Sequence, residues 1–227
     1  MRQILIIAAV LLAASCSRHG SYESNGEVVR YTYWTFSFGQ IYDTLPGADP
    51  ATFKSVNDWL GRDAQRVYFQ DKLVPSADPA TIEAKDYPLS RDKNDYYYQS
   101  APMHVADMST FKILKRFEDD FWAKDSQCAY FDTLHIAGVD LASFKVKSFS
   151  HAVDKNHVYI LGKILPLADP ATYDHDWKGF YSRDKSHIWY TGELLEDADY
   201  ASFTVDDDTH AHDKHGAYDG AVRVNGN

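Results

Sequence analysis

The chain has 227 residues, with 23 Lys and Arg against 33 Asp and Glu, for a formal net charge of −10 at pH 7. That acidic balance argues against electrostatic binding to nucleic acid or to an anionic membrane surface. A hydrophobic share of 44% suits one buried core or a repeat array, and two cysteines are too few for a disulfide-stapled scaffold.

Residues 1–15 read as a secretory signal. Arg2 supplies the positive start, residues 4–14 are apolar, and the small residues Ala13, Ala14 and Ser15 lead into Cys16. The run is too short for a membrane-spanning helix of about 20 apolar residues. The small residues before Cys16 resemble a bacterial lipobox, whose cysteine takes a diacylglycerol and becomes the mature N-terminus. The plainer alternative is a secreted protein cut near Ala14. Ser17 stands where an Asp would favour the inner membrane, so the resemblance implies the outer membrane of a Gram-negative envelope. Residues 16–27 are polar and read as a flexible tether, which leaves 28–227 as the folded domain. Without residues 1–15 there are 22 Lys and Arg against 33 Asp and Glu, a net of −11. Such a domain is expected to meet the membrane through its N-terminal lipid only. If Cys16 is lipidated, Cys128 has no partner for a disulfide and reads as a small apolar residue.

The folded region opens on residues 29–38, VRYTYWTFSF, a β-rich stretch. After it two motifs alternate. ADPAT and its relatives are led by Asp49, Asp78, Asp107, Asp140, Asp169 and Asp199. Between them stand Asp63, Asp92, Asp125, Asp154, Asp184 and Asp213, in forms such as RDKNDYYY and VDKNHVYI. The first five of these second aspartates each lie 15 residues before the next ADPAT-type aspartate, whereas the other half of the unit varies from 14 to 18 residues. One half is therefore templated, and the other accepts insertion.

The Asp-Lys-Asn sites read as tight turns between strands. Five residues after each Asp stands an aromatic: Tyr68, Tyr97, Tyr130, Tyr159, Trp189 and Tyr218. Two residues before it stands a small residue: Gly61, Ser90, Ala123, Ala152, Ser182 and Ala211. A hairpin centred on the Lys-Asn pair sets these columns opposite one another, small against large. The aromatic column reads as core, the alternative being an exposed ladder for glycans. In ADPAT, Asp suits a helix N-cap and Pro the first helical position, with Thr or Ser three residues on able to bond back to the cap backbone. An apolar residue follows: Phe53, Ile82, Phe111, Phe144, Tyr173 or Phe203. The expected fold is all-β: tandem hairpin repeats of about 29 residues joined by one-turn helical links, an open elongated array in preference to a closed propeller. Seven hairpin-type halves and six links are expected.

DKNDYYY and DKNHVYILGKILPLADPATY resemble the bacterial DKNYY repeat family, in which an Asp-Lys-Asn-x-Tyr-Tyr segment precedes an Ala-Asp-Pro-x-Thr-Phe segment. The resemblance extends over nearly all of residues 28–227 in six units. It implies a secreted or envelope protein and supplies no catalytic residues. Ala64-Gln65 and Ser126-Gln127 depart from Lys-Asn, and Met108, Leu141 and Tyr200 replace the proline.

For chemistry, six-fold recurrence of the aspartates marks architecture, since an active site is built once. No GxSxG and no phosphate-cradling glycine loop is present. The expectation is a non-enzyme without a cofactor that serves as a protein-interaction or scaffold module. The alternatives are a glycan- or peptidoglycan-binding module and a metal-binding protein. His210, His212 and His215 form the densest cluster of metal-ligating types, the first two on one face of a strand. Trp59, Trp122, Trp177 and Tyr96, outside the repeated column, are the candidates for stacking on a sugar or a partner.

Overall fold

The computed structural model describes residues 20–224. The signal segment 1–15 and Cys16 lie outside the described residues. Two compact units divide the chain at residues 1–108 and 109–227. This differs from the single domain expected over 28–227. The cut falls inside the third link, where the motifs run on without a change in composition, so no linker marks it.

The described residues are all strand and turn, in seven small antiparallel sheets of which none closes on itself. The N-terminal sheet is a meander of β1 (Ser21–Ser24), β2 (Val29–Thr35) and β3 (Gly39–Thr44). β1 occupies part of the expected tether. Its Tyr22 packs against the core of this sheet and donates its hydroxyl to the carbonyls of Trp59 and Tyr68. One half-buried aromatic is enough to draw an otherwise polar segment into the sheet.

The other six sheets are four-stranded meanders, two in the first unit and four in the second. Each has two central strands, such as Leu60–Arg62 and Val67–Phe69, with shorter strands outside. The hairpin register is the one the columns require. Gly61 pairs with Tyr68, Ser90 with Tyr97, Ala123 with Tyr130, Ala152 with Tyr159, Ser182 with Trp189 and Ala211 with Tyr218. All six aromatics are buried. They are core, and the exposed-ladder alternative falls.

The links put their apolar residue onto the hairpin that follows. Phe53 meets Tyr68, Phe111 meets Tyr130, Phe144 meets Tyr159, Tyr173 meets Trp189 and Phe203 meets Tyr218, with ring centroids 5.3–6.2 Å apart. This is why the opposing column must be small: a Cβ on Gly61 would stand 2.5 Å from the Phe53 ring. The longest variable half becomes a longer hairpin, Lys112–Phe117 against Asp120–Lys124. Insertion there lengthens two strands without disturbing the turn.

Each expected one-turn helix is a hydrogen-bonded turn only. At the first link Thr52 N and Phe53 N both donate to Asp49 O, at 3.2 and 3.0 Å, and the chain then turns into a strand. Two such bonds do not amount to a helix, because nothing propagates a nucleus so short.

Candidate functional site

The two repeated aspartates meet. Asp154 stands first in its hairpin turn, with its side chain buried. One oxygen, Oδ1, accepts Asn156 N and His157 N at 2.7 Å each, taking the place of its own carbonyl in the turn. The other, Oδ2, accepts Asp140 N at 2.6 Å and the Tyr159 hydroxyl at 2.8 Å. The link aspartate is thus capped by the turn aspartate 14 residues later. In return, Lys155 N donates to Ser143 Oγ at 3.0 Å, and Lys155 Nζ lies 2.7 Å from Asp140 Oδ2.

The same clamp recurs. Asp49, Asp78, Asp169 and Asp199 donate their N–H to Asp63, Asp92, Asp184 and Asp213 at 2.5–3.0 Å. Asp107 holds this place in the third link, and Asp125 is buried and accepts Gln127 N, Cys128 N and the Tyr130 hydroxyl. Thr52, Thr81, Thr110, Thr172 and Ser202 accept the N–H that follows the turn aspartate. This corrects the expected capping box. The hydroxyl of Thr52 donates to the Asp49 carboxylate and does not accept the cap N–H, which the turn aspartate has already taken. The lysine of Asp-Lys-Asn pairs with the link aspartate at Lys93, Lys155, Lys185 and Lys214. Ala64 and Ser126 cannot make that pair.

Burial acts to raise the pKa of Asp154, but the Asp140 N–H, the Tyr159 hydroxyl and the two turn N–H groups outweigh it, and the carboxyl is held below its usual range. Asp213 is brought down to about 2 against the same burial, by Asp199 N, His215 N, Tyr218 and the Arg223 charge. The tyrosine hydroxyls are raised by burial and by the adjacent carboxylate, so they stay protonated as donors. Every repeated carboxylate whose bonds are described here holds backbone in place.

A cleft of about 340 Å³ lies in the second unit. His151 lines it, with Nδ1 at 3.2 Å from Ser148 Oγ and 2.9 Å from Ser150 Oγ. Its Nε2 is buried without a hydrogen-bond partner. Burial first, and then the nearby His175, push its pKa down to about 4, so the ring is neutral at pH 7. His175 faces it at 5.8 Å between ring centres and lies 3.2 Å from Asp176 through Nε2. Phe149 and Phe180 add exposed aromatic surface at this cleft. The arrangement offers hydroxyl and imidazole hydrogen bonding beside an apolar wall.

His210 and His212 lie on the exposed face of the strand His210–Asp213, as their alternation requires. They do not converge on one point. His210 Nδ1 lies 2.9 Å from Asp207, His212 Nδ1 lies 2.9 Å from Asp206, and the His215 N–H donates to Asp213. Among the described residues no group of three or more His, Cys, Asp or Glu side chains is placed to hold a metal ion. Of the stacking candidates, Trp59 and Trp122 are buried. Trp122 donates Nε1 to Phe149 O, and Trp177 is covered by the Arg183 guanidinium 4.3 Å from its ring. Only Tyr96 and Trp177 keep partial exposure. The alternation of these tryptophans with polar neighbours resembles a half-exposed strand, and tertiary packing overrides it. Cys128 is a free thiol, partly exposed.

Two features escaped the motif reading. Seven residues after each turn aspartate the backbone is left-handed: Gln70, Gln99, Asp132, Leu161, Thr191 and Gly220 have φ between 47° and 60°. Each begins the tight turn between the third and fourth strands of its sheet. Gly162, Gly192 and Gly220 at or beside this column were its only sequence signal. The second feature is the tip of the β2–β3 hairpin, where Phe36 and Phe38 are exposed. The run TFSFG signalled it, but the same residues also satisfied a buried-strand reading.

The fold and the clamp together define an all-β repeat protein, in which five of the six four-stranded meanders are sewn to the link before them by one buried carboxylate. The DKNYY family model matches residues 21–101, and the later units carry the same two motifs in the same order. Residues 21–101 are thus a DKNYY-family segment, as the paired motifs lead one to expect. No curated protein and no solved structure matches it.

Proposed function

We propose that the protein is a non-catalytic, lipid-anchored repeat protein of the bacterial cell envelope that presents its sheets to a protein partner. The observation that carries this reading is the clamp. The acidic and hydroxyl residues that recur are engaged with backbone, which leaves no repeated group for catalysis. The lipobox-like residues before Cys16 support the anchor, and the net charge of −11 without residues 1–15 supports a lipid in preference to a basic patch. Replacing Cys16 with Ala should move the protein from the membrane to the soluble fraction of cells. Unchanged fractionation removes the anchor from the reading.

A second reading has the His151 cleft behind it: a glycan- or peptidoglycan-binding module. Phe149 and Phe180 supply stacking surface, and Ser148, Ser150 and His151 supply hydrogen-bonding groups. Enrichment on purified sacculi that lysozyme digestion abolishes, and that His151→Ala weakens, favours this reading over a protein partner. Capture by an envelope protein from digested sacculi favours the first.

A further inference from the structure

Residues 33–42, YWTFSFGQIY, contain no charged side chain in a chain that is 25% charged. They form the far end of the β2–β3 hairpin, with Thr35 paired to Gly39 across a three-residue loop. The loop is well built. Gly39 takes the left-handed conformation at φ 71°, which suits the residue closing such a turn. Thr35 Oγ1 accepts Phe38 N at 3.2 Å and lies 3.4 Å from Gly39 O. On this frame Phe36 is 91% exposed and Phe38 82%, the two highest values for any large apolar residue described. Trp34 at 54% and Tyr42 at 52% stand just behind them. The corresponding turns of the repeats, between the third and fourth strands, are only two residues long, such as Gln70-Asp71 and Thr191-Gly192, and carry no aromatic. The tip is an apolar knob held rigidly in water, which calls for a partner.

The register of β1 indicates which partner. Ser21 pairs with Thr32 and Ser24 with Val29, so the chain enters β1 at the end of the sheet from which the tip projects. From Ser21 back to Cys16 is five residues, a reach of at most about 17 Å. From Thr32 forward to Phe36 is four residues, about 13 Å along the strand. The cysteine that would carry the lipid and the aromatic knob can therefore lie in one plane. We propose that the β2–β3 tip is a membrane wedge, which seats Phe36, Phe38 and Trp34 in the interface of the bilayer that holds Cys16.

Trp and Tyr favour the boundary between headgroups and acyl chains, and Phe adds apolar area below it. The anchor holds the tip close to the surface, so weak insertion is enough to fix the sheet's orientation. With an acidic protein and an uncharged tip, the contact is apolar and not electrostatic, and salt should not weaken it. In the cell this rests on the lipid-anchor reading, but the wedge can be tested without the lipid.

The test uses the chain without residues 1–15, carrying Cys16→Ala, mixed with phosphatidylcholine vesicles. The protein is expected to co-sediment at low and high salt alike, and brominated acyl chains should quench tryptophan emission. Phe36→Ser/Phe38→Ser is expected to lower the vesicle partition coefficient at least about tenfold. Its thermal midpoint should hold, because both side chains are in water. Trp34→Tyr should remove most of the quenching, since Trp59, Trp122 and Trp189 are buried and the half-buried Trp177 ring is covered by Arg183. Absence of vesicle binding, or equal binding by the double variant, overturns the wedge. So does a double variant that only converts a dimer into a monomer in sedimentation, which would make the tip a self-association surface. Fractionation of the Cys16→Ala chain in cells tests the anchor separately.

Discussion

The hairpins of Asp154 and Asp184 share a plan and differ at one atom. In the first, Tyr159 donates its hydroxyl to Asp154 Oδ2 at 2.8 Å. In the second, Trp189 fills the same place, its Nε1 is buried without a partner, and the nearest additional donor is His187 Nδ1, 3.4 Å from Asp184 Oδ2. Both aromatics are fully buried and both pack on the link ring before them. The column therefore asks for a large ring first, and the hydroxyl is an added bond. Packing decides which residue types can stand there, and the hydrogen bond sets how firmly the turn holds the link.

Four substitutions in each hairpin break or sharpen that comparison, in falling order of effect. Asp154→Ala strips the acceptor from four donors, and in chemical denaturation it should cost about 3–5 kcal/mol. Asp184→Ala should cost about 1–2 kcal/mol less, because one strong donor is already missing. An equal cost would mean that the tyrosine bond contributes nothing. The native pKa of both aspartates is lowered, so the unfolded chain binds more protons around pH 4. Their contribution is complete above the ordinary carboxylate pKa and is lost as pH falls through the lower native value.

Tyr159→Phe keeps the ring and removes the hydroxyl, for an expected loss of about 1.5–2 kcal/mol. Trp189→Tyr adds the missing donor and gives up ring volume, so its stability should stay within about 1 kcal/mol of the parent. A loss of several kcal/mol there would show that shape alone governs the column.

Thr191 and Leu161 both begin the next turn with positive φ, at 48° and 47°. The left-handed conformation costs an L-residue about 1–2 kcal/mol, and a β-branched one suffers most. Thr191→Gly should therefore raise the unfolding free energy by about 0.5–1 kcal/mol, more than Leu161→Gly does. The smallest effect is expected at Lys155→Ala and Lys185→Ala. Their ion pairs to Asp140 and Asp169 are made by side chains 63% and 65% exposed, so each change should stay under about 0.5 kcal/mol and vanish in high salt.

The hairpins were legible because their evidence is redundant. The turn aspartate, the small residue two before it and the aromatic five after it each imply the same register, and Ala152 does face Tyr159. The clamp was half legible. Asp140 and Asp154 were both visible as columns, but their bond spans the variable half of the unit, while the regular spacing of 15 pointed to the other half. The His151 cleft was not legible. Its residues come from stretches around positions 150, 160, 176, 180 and 191, and nothing in the motifs brings these stretches to one point.

The sequence by itself determined the unit, its register, its number of copies and the family resemblance. Those follow from local chemistry: turn formers, a period of two and size matching across one strand pair. Only the tertiary structure decided that Asp140 is capped by Asp154, that Trp59 and Trp122 are core while Phe36 and Phe38 stand in water, and that the chain divides at residue 108. Burial is a property of what lies across from a side chain, and an aromatic in a strand reads the same whichever face the neighbouring sheet covers.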